Sequence, residues 1–110
     1  METSKKPKRS KELALSENLI ALQFHNSVII IAQGSNNTSG YKVLLERTSN
    51  NVFPPKFKLY QILPVGLVLN TITPFTIVTT FQSDKYIKSI SIEDRSGKHT
   101  ISVLKISDEF

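Results

Sequence analysis

The side chains able to do acid, base or metal chemistry are few in this sequence: His25 and His99, no cysteine, and carboxylates that stand mostly beside turns or near the termini. Nucleophilic catalysis needs a hydroxyl or thiol, a base within reach and a group that orients the base, and no local spacing supplies that set. His25 stands in the turn-prone triplet HNS and His99 opens an apolar alternation, so neither has a second metal ligand at local spacing. Glu93 and Asp94 are adjacent, and neighbours in an extended chain point to opposite faces, so they form no acid and base pair. The expectation is that they keep a hairpin soluble. The glycines at 34, 40, 66 and 97 match neither the dinucleotide nor the P-loop spacing. The sequence is therefore read as non-catalytic, with no metal site and no cofactor.

Recognition chemistry is better represented. The opening stretch KKPKRSK crowds Lys5, Lys6, Lys8, Arg9 and Lys11 around one proline. Three readings stay open for it: a solvated arm, a nuclear-import signal, or an arm for nucleic acid. Residues 1–12 hold five basic and two acidic side chains and residues 13–110 nine and seven, so more than half of the net charge of +5 belongs to the first twelve residues. The rest is nearly neutral, which argues against a basic stripe along a nucleic-acid backbone. Aromatics do stand beside cations at Tyr41 with Lys42, Phe57 with Lys56 and Lys58, Tyr60, and Tyr86 with Lys85 and Lys88, as an OB-like single-strand binder would need. The loop residues Ser35, Asn36, Asn37, Thr38 and Ser39 satisfy turn chemistry by themselves, with contact to a partner as the functional alternative.

The elements that must carry these residues read as strands. Twelve Ile, seven Val and nine Thr stand against three Ala, and branched Cβ atoms favour a pleated surface. At 110 residues the chain is one domain, divided as a basic disordered tail over 1–12 and a β-rich domain over 13–110. A two-turn helix is allowed within residues 10–22, where Leu15, Leu19 and Leu22 have helical spacing. Ile20, Leu22 and Phe24 otherwise alternate, and Val28 to Ile31 run unbroken, as in a central strand covered on both faces. Strands are expected over 58–63, again in GLVLNTI, and in FTIVTTF, where Phe75, Ile77, Thr79 and Phe81 share a face. A hairpin turns at DRSG, its second strand changing phase through a bulge near Val103. The expected fold is a mainly β, single-domain antiparallel β-sandwich of about six or seven strands with little helix. So many apolar strands in a small domain leave one sheet face too apolar for water, and Phe75, Ile77 and Phe81 are the expected dimer face.

The stretch FHNSVIIIAQGSNNTSGYKVLLER resembles a segment of the small proteasome-assembly chaperones of the third-subunit and fourth-subunit type, in which an aromatic and a polar turn lead into a hydrophobic strand, a Gly-containing loop and a second apolar strand. TPFTIVTTFQSDKYIKSISIEDRSG is similar to the later hairpin of that family, and the two segments cover about half the sequence. The resemblance implies a non-catalytic chaperone that dimerises with a similar β-rich subunit and holds proteasome α-type subunits during ring assembly. The family's C-terminal helix has no counterpart in the pattern up to ISDEF. With no cysteine, no apolar leader and no apolar run of the roughly 18 residues a spanning helix needs, the sequence reads as a soluble protein of the cytoplasm or nucleus, with no membrane partner.

Overall fold

The computed structural model describes residues 11–48, 53–66 and 68–106, and these form a mainly β, single-domain structure with no helix. Eight strands occur among the described residues: β1 (Lys11–Leu13), β2 (Ser16–Phe24), β3 (Ser27–Asn36), β4 (Lys42–Arg47), β5 (Lys56–Ile62), β6 (Thr73–Gln82), β7 (Ser89–Asp94) and β8 (Gly97–Ile106). They follow one path, β1-β5-β7-β8-β2-β3-β6 with β4 on the other side of β5, curled into a half-barrel.

β8 makes the curl. Residues 97–102 continue the hairpin with β7, from Asp94 opposite Gly97 to Ser89 opposite Ser102. Residues 103–106 run beyond β7 and lie parallel to β2, with Ala21 opposite Val103 and Phe24 opposite Ile106. The expected bulge near Val103 is thus a change of partner. β5 is shared in a similar way: β4 runs along one side, while the other side meets β7 in parallel at residues 56–58 and β1 at residues 60–62. The sheet is therefore mixed, where a wholly antiparallel arrangement was expected, because both junctions join strands that are distant in sequence.

Several local expectations change for the same reason. Residues 11–24 make β1 and β2 in place of the helix, since β2 gains a strand partner on each side and a two-turn helix would gain none. Lys11 and Glu12 belong to the sheet, so the domain starts before residue 13, and β1 raises the strand count to eight. None of the described residues of GLVLNTI is in a strand; Gly66 is left-handed at φ 91° between Pro64 and Pro74, and Leu69 binds the 37–41 loop instead, its N–H donating to Ser39 Oγ at 3.0 Å and its carbonyl accepting from Ser39 N–H.

The core lies inside the curl. Ala21, Val28, Ile30, Ala32 and Val103 from one half form a single buried cluster with Phe57, Leu59, Ile90 and Ile92 from the other. Phe81 of β6 reaches across to Phe57, ring centroids 5.6 Å apart, and the Arg47 guanidinium lies 5.0 Å above the Phe81 ring.

Candidate protein-docking face

Residues directly opposed across a ladder point to the same side of a sheet. On the inner side this aligns Val103, Ala21, Ile30 and Thr79. On the outer side it builds three rows, one across β2, β3 and β6 and two that also take in β8. Ile20 stands opposite Ile31 and Ile31 opposite Val78; Leu104, Leu22, Ile29 and Thr80 form the next row; Ile106, Phe24, Ser27 and Gln82 the last. No charged residue falls in these rows, and Asn18, Gln33 and Thr76 border them at one end.

Nothing among the described residues covers this face. Leu104 keeps 63% and Val78 59% of its surface exposed; Ile20, Phe24 and Ile106 are also exposed, while Leu22, Ile29 and Ile31 are half-buried by their neighbours. From strand spacing, the apolar area is on the order of 400 Å², about half of what one partner contributes to a standard protein interface. The unbroken run from Val28 to Ile31 does lie in a central strand, as expected, but the described residues cover only one of its faces.

Compared with known proteins, the chain matches no family model, no curated protein and no solved structure.

The residues singled out in the sequence are scattered over this frame. Phe75, Ile77 and Phe81 lie on the inner side of β6, half-buried against the core, so the exposed apolar face is the opposite one. Ser35, Asn36, Asn37 and Thr38 line an open polar groove of about 600 Å³ with Tyr41, Glu12, Gln61 and Arg95. Its charges already answer each other: Glu12 Oε2 accepts from Gln61 Nε2 at 2.6 Å and lies 3.4 Å from Arg95 Nη2. Ser39 is engaged with Leu69. Lys11 pairs with Glu46 at 2.9 Å over the Tyr60 ring, whereas Lys5, Lys6, Lys8 and Arg9 lie outside the described residues. Of the four lysine-flanked aromatics, Phe57 is buried in the core and cannot stack a base, and the Tyr86 hydroxyl donates to Val103 O at 2.9 Å.

One polar cluster was not legible locally. Asp94, expected on the surface of a hairpin, is buried. Its Oδ1 accepts from Ser96 N–H at 2.9 Å and Ser96 Oγ at 2.7 Å and lies 2.9 Å from His99 Nε2; its Oδ2 accepts from Ser16 N–H at 3.1 Å and from Ser16 Oγ. Burial pushes the Asp94 carboxyl up, but the bonds from Ser16, Ser96 and His99 outweigh it and hold the group well below the usual carboxylate range. Ser, His and Asp meet here without the geometry of an activated hydroxyl. Ser96 Oγ and Asp94 Oδ1 both stand 2.9 Å from the same imidazole nitrogen, whereas a relay uses one nitrogen for the hydroxyl and the other for the carboxylate. The cluster ties the β7–β8 turn to the start of β2.

Proposed function

We propose that this protein is a non-catalytic assembly chaperone or adaptor, which pairs with a similar β-rich subunit and docks a folded protein on the outer face of β8, β2, β3 and β6. The observation that carries the reading is the uncovered apolar face itself, uninterrupted by charge and bordered by Asn, Gln, Ser and Thr. Apolar centres with polar rims suit protein surfaces, and an uncharged face offers nothing to phosphates. The pattern resemblance to proteasome-assembly chaperones supplies the client class, proteasome α-type subunits.

The test is direct binding of the purified chain to purified α-type subunits and, in parallel, to single-stranded oligonucleotides. Leu104→Lys and Ile20→Lys put charge into two different rows of the face at exposed positions. Each should weaken subunit binding by about tenfold or more while leaving the melting temperature nearly unchanged, because neither side chain is in the core. Undiminished subunit binding in both variants would remove the face from the mechanism, and oligonucleotide binding in place of subunit binding would replace the reading.

A further inference from the structure

Two outer strands of the sheet, β4 beside β5 and β6 beside β3, differ in how their outer edges are guarded. β4 carries Lys42, Glu46 and Arg47 in six residues, the charged kind of edge that discourages strand addition. β6 is ten residues long, holds no charged side chain, and among the described residues forms a ladder only with β3, while Arg47 of β4 packs against its inner side at Phe81. A long, uncharged free edge is a template for another strand.

The sequence of β6 says which strand fits. Its central segment, FTIVTTF over residues 75–81, is nearly a palindrome about Val78. We infer that β6 pairs with β6 of a second copy of this chain, antiparallel about a twofold axis at Val78. That register sets Val78 beside Val78, Thr76 beside Thr80 and Phe75 beside Phe81, with only Ile77 and Thr79 unlike. Branched and aromatic neighbours of this kind stabilise cross-strand contacts, and alternation keeps each residue on its own face: Thr76, Val78 and Thr80 outward, Phe75 and Phe81 inward. Pro74, which has no N–H to give, falls near the end of the pairing and outside its centre.

The pairing deepens the proposed function by naming the β-rich subunit as a second copy, and it leaves the docking face free. Val78 borders that face, so joining the edges makes one outer surface from the two copies, on the order of 800 Å² and the size of one side of a standard interface.

The chain has no cysteine, so single introduced thiols report the register. Val78→Cys should cross-link into a dimer under mild oxidation, Thr76→Cys and Thr80→Cys should cross-link as a mixture but poorly alone, and Thr100→Cys, exposed on β8, should serve as the background. Sedimentation of the unmodified full chain should show a reversible dimer, and Val78→Lys, at an exposed position that leaves the core intact, should raise its dissociation constant by about tenfold or more through like charges set side by side. A monomer at every concentration, or Val78→Cys cross-linking no faster than Thr100→Cys, overturns the pairing. If that monomer still binds α-type subunits in a manner lost in Leu104→Lys, the pairing alone has failed and the docking face stands.

Discussion

Asp94 shows how much a single side chain contributes when the fold encloses it. Five polar atoms from Ser16, Ser96 and His99 surround one carboxylate, and two of them come from a residue 78 positions away. Asn at this position keeps the shape but turns one acceptor into a donor, which would face Ser16 N–H or Ser96 N–H. Asp94→Asn should therefore destabilise the protein by about 1.5–3 kcal/mol at neutral pH, the range for hydrogen bonds to a charged group. The dependence on acid follows from the direction of the shift. Because the folded carboxyl titrates below its unfolded counterpart, the stabilisation is complete above the unfolded value of about 3.9 and is lost as the pH falls from there towards the folded one. Urea melts should show the gap between wild type and Asp94→Asn narrowing as pH drops below about 4; a gap that stays constant to pH 2 would mean the carboxylate charge is irrelevant.

Among the elements, β3 is the most constrained, because it pairs with β2 on one side and β6 on the other over nearly its whole length. Gly34 stands opposite Ser16 of β2 and Phe75 of β6. A Cβ there would lie 2.5 Å from Leu15 O and 2.7 Å from the Phe75 ring, close to the register shift between Ser16 and Asn18. One contact is backbone and the other a ring packed on the core, so neither moves freely. Gly34→Ala should cost about 1–3 kcal/mol, the range for overpacking, despite the better strand propensity of alanine. Gly97 is a different case: its φ of 127° closes the turn after Arg95 and Ser96, and a Cβ there meets nothing within 4 Å. A Gly34→Ala melt no lower than wild type would mean that β2 and β6 can separate at this point without loss.

Over the whole molecule, the distribution of charge and apolar surface separates the two kinds of partner. The net charge of +5 is concentrated in residues 1–12, and the outer sheet face holds no charge in its rows. Docking on such a face loses only screened rim interactions as salt rises, so client affinity should fall by about tenfold at most between 50 and 200 mM salt. A nucleic-acid ligand held through six phosphates would instead lose on the order of 10³-fold over the same range. Titrations of the full chain at the two salt concentrations make the comparison, and a steep loss with α-type subunits as ligand would place their binding on the basic residues rather than on the sheet.

By itself the sequence determined what each segment could become. Branched residues and turn chemistry marked the strands; HNS and DRSG marked two hairpins that form as expected, and the alternation in FTIVTTF assigned the two faces of β6. These are local properties, set by side-chain shape and by spacing of two along an extended chain. Tertiary structure decided what each strand meets. Leu15, Leu19 and Leu22 satisfy a helical spacing as well as a strand, and the choice fell to β3 and β8, which pair with β2 from both sides. An unbroken apolar run such as Val28 to Ile31 states that both sides of a strand avoid water, but whether the second side is covered depends on a layer built from elsewhere in the chain, and none of the described residues provides one. Asp94 and Ser16, and the change of partner at Val103, likewise depend on strands brought together from distant positions, and no pattern of residue types within either segment encodes its distance to the other.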